Sequence, residues 1–218
     1  MEIYNITKPS ENRVPILISS PHSGTYFPPQ IRARLKPELA AAPDDTDWFI
    51  DTLYDFAPEM GITMITANYS RWVIDLNRDP KQQPLYTDGR VITGLVPLTD
   101  FNGLPLYDHD APGEAEIEER VGKYFVPYHQ KLNSLLGELH EEFGKVLLWD
   151  AHSIRKFVPG ISHEPFPDLI LGDNELNSAS SAVIASAFDA LEKGDYVLQH
   201  VIFLLTPKQY VSRVDQNC

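Results

Sequence analysis

The amino-acid sequence predicts a layered α/β domain with a largely parallel or mixed sheet. Short apolar runs that suit buried strands alternate with stretches of helical periodicity. Two of those runs end directly in a loop that bears a histidine. Hydrophobic residues make up 43% of 218 positions, enough for one sizeable core.

The elements follow in order. Residues 14–20 (Val-Pro-Ile-Leu-Ile-Ser-Ser) read as a buried strand that delivers a loop at Pro21. Pro28-Pro29 opens a short helix toward Leu35. A second helix is expected from Asp45-Thr46-Asp47, with Asp or Thr as N-cap. It presents Ile50, Leu53, Tyr54 and Ala57 on one face and stops between Pro58 and Gly61. Residues 62–67 alternate as a strand does, and 72–76 reads as another. The stretch 80–113 is rich in proline and turn residues, a long excursion of the kind that often serves function.

The clearest helix covers 114–143. Ile117, Val121, Tyr124, Phe125, Tyr128, Leu132, Leu135, Leu136, Leu139 and Phe143 recur at helical spacing, and Gly144 ends it. Pro127 is predicted to kink it, because proline removes one helical hydrogen bond. Residues 145–149 form a strand that runs into Asp150-Ala151-His152-Ser153. A short strand at 168–171, a helix over 175–193 and a last strand at 196–205 complete the series, and no internal repeat is present.

Charge and composition exclude several classes. A net charge of −13 argues against nucleic-acid and anionic-membrane partners, although a small pocket can still be locally basic. The one cysteine, Cys218, rules out a disulfide or a Cys-rich zinc site within the chain. The N-terminus lacks the features of a signal peptide, and no apolar run approaches membrane-spanning length, so a cytoplasmic protein is expected. Gly-x-Ser-x-Gly, P-loop and Gly-x-Gly-x-x-Gly signatures are absent.

Ligands of open α/β sheets bind at the carboxyl ends of strands. His22, in Ser-Pro-His-Ser-Gly, and His152, in Asp-Ala-His-Ser, both stand at such ends. Two imidazoles plus one carboxylate would hold a metal ion and leave a position open. The competing reading is that each histidine merely satisfies loop backbone. Asp44, Asp45, Asp47, Asp51 and Asp55 crowd one segment, and the residues alone do not separate Asp47 from Asp45 as the third ligand. Arg71 and Arg78 bracket Trp-Val-Ile-Asp-Leu-Asn; as planar forks they suit a dicarboxylate, and equally a salt bridge. His129 is expected to be a structural hydrogen-bonder.

Taken together, seven segments resemble the N-formylglutamate amidohydrolase family, in the family's order. They are residues 15–24, 45–54, 67–78, 93–97, 127–129, 150–155 and 167–172, and they cover about 14–175. The resemblance implies one domain over 1–218 with a three-layer α/β/α fold and a mixed sheet, similar to zinc carboxypeptidases and amidases (phosphorylase/hydrolase-like). It implies a divalent ion, zinc by default, on His22, Asp47 and His152, with Arg71 and Arg78 at the carboxylates of a small-molecule substrate. The implied reaction is hydrolysis of N-formyl-L-glutamate to formate and L-glutamate in histidine degradation. The alternatives are deacylation of another N-acyl amino acid and a non-catalytic remnant. The family's later Gln-x-Glu strand, with its general base, has no counterpart. The chain is therefore read as C-terminally truncated, divergent from about 196, with its catalytic base unassigned; Asp45 and Asp150 are the candidates within it.

Overall fold

Strand β1 (Tyr4–Thr7) alternates between half-buried and exposed positions, whereas β2 (Ile16–Ser20) is buried nearly throughout. That difference places one at an edge and the other inside a sheet. In this computed structural model, which describes residues 1–80, 94–173 and 178–201, the chain divides into two units, Met1–Ile154 and Arg155–Cys218.

In the first unit, β2 is followed by α1 (Pro29–Arg32), α2 (Pro37–Ala41), α3 (Ile50–Leu53), a 3₁₀ turn (Ala57–Met60) and β3 (Thr63–Ala67). After the long excursion come α4 (Glu114–Arg120), a π turn (Val121–Phe125), α5 (Val126–Phe143) and β4 (Leu147–Asp150). The sheet order is β1-β3-β2-β4. β1 runs antiparallel to β3, and β2 is parallel to both of its neighbours, so the sheet is mixed.

Alternation along β2 assigns the two faces. Ile18 points into a cluster with Ile50, Ala57, Ile62, Met64 and Ala151, which anchors α3 and the 3₁₀ turn through one buried residue each. Ser19 points the other way and meets the Tyr128 hydroxyl of α5 at 3.2 Å. From α5, Tyr128, His129, Leu132, Leu135, Leu136 and Leu139 are buried, the spacing of one helix face. Gly144 closes α5 in the left-handed conformation (φ 74°), its N–H donating to the His140 carbonyl.

The structure departs from the sequence-based expectation at several places. No helix begins at Asp45: α3 is one turn, preceded by Phe49 in the left-handed region (φ 65°). The Asp45 carboxylate accepts instead from the Trp72 indole (3.0 Å) and the Phe101 amide (3.1 Å), and Asp47 accepts from a histidine. With their oxygens committed to tertiary partners, neither aspartate caps a helix. Residues 72–76 form turns rather than a strand. Trp72, Val73 and Ile74 are all buried, and a run buried on every side has no period that separates strand from turn. The 114–143 helix is interrupted by the π turn just before Pro127. Pro127 then stands in the first turn of α5, where its missing N–H and its ring are best accommodated. The strand β1 has no counterpart in the sequence reading, being four residues long and only half-buried.

In the second unit, β5 (Leu169–Gly172) pairs in parallel with β6 (Leu198–Val201). Between them α6 (Ser181–Leu191) starts at Ser180, whose Oγ accepts from the Val183 N–H. Residues 81–93 of the excursion, 175–177 of the expected helix and 202–218 of the expected strand and tail lie outside the described residues. Among the described residues no helix is long and apolar enough to cross a membrane.

Candidate metal centre

Parallel pairing sets the site. Ser19 of β2 and Asp150 of β4 are in register, so the carboxyl ends of the two strands lie side by side. His22 and His152 each follow shortly after, and their rings stand 5.0 Å apart. The turn that carries His22 needs Gly24: a Cβ there would lie 2.4 Å from the Tyr69 carbonyl oxygen and 2.5 Å from the Asn68 carbonyl carbon. No side chain fits against backbone at that distance.

Asp47 arrives on the connection between α2 and α3, where its N–H donates to the His22 carbonyl (3.0 Å). Its Oδ2 lies 2.8 Å from His152 Nδ1 and 3.7 Å from His22 Nδ1. One ligand atom from each of the three residues falls within 4.8 Å of the others. The structure thus brings together the three residues expected as ligands, and it separates Asp47 from Asp45, whose oxygens are turned to Trp72 and Phe101.

The residues fit a divalent ion. His22 Nδ1 is buried with no hydrogen-bond partner, while its Nε2 lies 2.8 Å from Asp75 Oδ1. A buried ring nitrogen without a partner is costly, unless its lone pair faces a ligand. His152 repeats the wiring: Nδ1 faces Asp47, and Nε2 lies 3.0 Å from Asp150 Oδ2. Asn77 stands 3.1 Å from the same Nε2. Two imidazoles, each backed by a carboxylate, and one direct carboxylate are a donor set suited to a divalent metal ion.

Arg71 and Arg78 also reach this place, and both face Asp75. Arg71 Nη2 donates to Asp75 Oδ2 at 2.6 Å, and Arg78 Nε lies 3.5 Å from the same oxygen. Arg71 Nη1 is 3.9 Å from Asp47 Oδ1, and its guanidinium sits 4.8 Å from the centre of the Phe101 ring. The helices fasten the segment that carries these groups. His129 Nε2 donates to the Leu76 carbonyl (2.8 Å), and Arg120 Nη1 donates to that of Val73 (2.9 Å). His129 is therefore the structural hydrogen-bonder the sequence suggested.

Charge follows geometry. Burial works against ionisation of Asp75, but Arg71, His22 and Arg78 outweigh it and hold its carboxyl well below the usual range. Burial likewise opposes the Asp47 charge, and the neighbouring His152 and His22 win, lowering it. His152 resists protonation through burial, yet Asp150 and Asp47 raise it to about 10. Burial and His152 act in the same opposed way on Asp150, which is lowered. For Asp45 burial prevails, and its carboxyl is raised. In the metal-free protein a proton on His152 thus supplies positive charge between two carboxylates.

Asp75 and Asn77 were given no role by the sequence reading. The available signal was their place inside the 67–78 segment, between the two arginines.

Comparison with known proteins identifies the family. The model of the N-formylglutamate amidohydrolase family matches residues 14–201. The N-formylglutamate deformylase of Pseudomonas aeruginosa is 46% identical over 174 residues, covering 79% of this chain and 64% of its own. That of Pseudomonas putida is 44% identical over 163 residues, covering 74% and 60%. The chain therefore spans less than two thirds of the length of either relative. Two crystal structures share the fold. The N-formylglutamate amidohydrolase of Ralstonia eutropha JMP134 has a TM-score of 0.73 at 24% identity, over 92% of this chain and 76% of that one. The gene product Atu2144 of Agrobacterium tumefaciens has a TM-score of 0.69 at 17% identity, over 92% and 73%.

Proposed function

The chain belongs to the N-formylglutamate amidohydrolase family, and from that premise we propose that it hydrolyses N-formyl-L-glutamate to formate and L-glutamate. The reading includes a zinc ion held by His22, Asp47 and His152, a place in histidine degradation, and the three-layer architecture of zinc carboxypeptidases and amidases. The observation that supports it best is the buried, unpartnered Nδ1 of His22, facing Asp47 and His152. A zinc ion supplies Lewis acidity toward an amide carbonyl and toward water.

The chain's own residues would do the rest. Asp75 and Asp150 hold the two imidazole rings through Nε2, which leaves both Nδ1 atoms turned to Asp47. Asp47 supplies the one direct carboxylate between them. Arg71 and Arg78 are the substrate-binding pair in this proposal, because a formylated dicarboxylic acid presents two carboxylates to planar guanidinium forks.

Formate release from N-formyl-L-glutamate by the purified chain tests the reaction. The expected result is turnover that a chelator removes and zinc restores. No turnover in the zinc-loaded protein, or turnover indifferent to the chelator, would overturn the assignment. Arg71→Lys and Arg78→Lys test the pocket, and at least one should raise KM about tenfold, a difference of about 1.4 kcal/mol. Unchanged KM in both removes these arginines from substrate recognition.

A further inference from the structure

We propose that Asp75 is the positioning residue of this site: one carboxylate that selects the ligating nitrogen of His22 and gathers both arginines beside it. The inference rests on the metal site proposed above and extends it to a residue outside the ligand set.

Asp75 is fully buried, and a buried carboxylate requires several partners to remain charged. Its oxygens divide that work. Oδ1 faces His22 Nε2 at 2.8 Å and accepts from the Asn77 amide at 2.9 Å. Oδ2 accepts from Arg71 at 2.6 Å, with Arg78 at 3.5 Å. An ionised carboxylate has acceptors only, so the proton between Asp75 and His22 belongs to Nε2. Nδ1 is then the nitrogen with a free lone pair, and it is the one without a partner.

The backbone on each side of Asp75 is held as well. Arg120 binds the Val73 carbonyl and His129 the Leu76 carbonyl, while the Asp75 N–H donates to Leu95 O at 2.7 Å. Both groups that face the carboxylate on Oδ2 are cations, so it is held from several directions before an ion arrives. Second-sphere partners of this kind orient a ligand and set its basicity.

An asparagine of the same shape cannot do both tasks. With its amide oxygen toward His22, its NH₂ faces the guanidiniums, donor against donor. With the oxygen toward the guanidiniums, its NH₂ faces Nε2, and the ring must carry its proton on Nδ1. That tautomer closes the ligand atom.

Two measurements decide the matter. Nitrogen-15 chemical shifts of the zinc-loaded wild-type protein identify which nitrogen of His22 is coordinated. Competition with a chromophoric chelator gives zinc affinity for the wild type and for Asp75→Asn. The proposal expects coordination through Nδ1 with the proton on Nε2, and an affinity about 10- to 100-fold lower in Asp75→Asn. Coordination through Nε2 overturns it, as does a folded Asp75→Asn that keeps wild-type affinity. If Asp75→Asn does not fold, the nitrogen coordinated in the wild type decides alone. A wild type that binds no zinc overturns the metal reading itself, and the proposal with it; that outcome is distinct from zinc bound through the other nitrogen.

Discussion

The two histidines of the site have the same wiring and opposite surroundings. Each turns Nδ1 toward Asp47 and rests Nε2 on a carboxylate. The His22 side chain and its partner Asp75 are 3% and 1% exposed; those of His152 and Asp150 are 28% and 22% exposed. The buried half has its charge balanced by two arginines and its backbone tied to α4 and α5. The rim half has Asn77 beside its Nε2 and a ring that is partly exposed. Identical ligand chemistry can thus be preformed in one place and adjustable in another, because burial makes every unpartnered alternative expensive.

The largest effects should come from the ligands themselves. His22→Ala or His152→Ala should abolish stoichiometric zinc, measured by elemental analysis of the purified proteins. If both variants keep the wild-type content, the two halves do not share one ion.

A smaller effect separates the halves. Asp75→Asn is expected to cost more zinc affinity than Asp150→Asn, by about tenfold, within the range known for outer-sphere partners. Water can replace part of what Asp150 gives to a partly exposed ring, whereas Asp75 is shut away from bulk solvent. Equal losses in a chelator competition would erase the distinction between preformed and adjustable halves.

Gly24→Ala probes the support of the buried half. The added Cβ meets Tyr69 and Asn68 backbone at 2.4–2.5 Å, so the His22 turn must move. A loss of about 1–3 kcal/mol in denaturant unfolding is expected, as for other overpacked sites. An unchanged midpoint would mean that the turn yields freely.

The mildest test uses pH on the chelated, metal-free protein. The folded pKa of His152, about 10, lies above its ordinary value of 6.5. Its stabilising contribution is therefore complete below about pH 6.5 and is lost as pH rises toward about 10. The thermal midpoint should fall across that interval, and His152→Gln should flatten the slope. The Asp75 carboxyl is lowered instead, so its contribution is present above about pH 4 and is lost on acidification. The alkaline limb tests the rim half, and Asp75→Asn should change the acid limb. A slope that persists in His152→Gln would assign the alkaline limb to another group.

Several elements were legible in the sequence because their signals are local. β2 ends in small polar residues and a proline, β3 alternates, and α5 repeats its apolar positions until Gly144. The strand-end rule then picked His22 and His152 from seven histidines. The third ligand was not legible from its surroundings. Asp45 and Asp47 share a segment and a chemistry, and only Trp72 and Phe101, distant in sequence, divert Asp45. The same holds for 72–76, where a run buried at every position is compatible with strand or turn until its packing is known.

By itself, then, the sequence determined the α/β class, the long amphipathic helix, the family and the pair of histidines at strand ends. Periodicity, turn chemistry and motif order are properties of neighbouring residues. Tertiary structure alone decided that Asp47 faces the histidines while Asp45 does not, and that Asp75 meets His22. It also decided that one histidine is sealed and the other open. Those outcomes depend on which oxygens find partners across 27 to 105 positions of chain. A buried polar group takes the partner that packing brings within reach, and nothing in its local sequence names that partner.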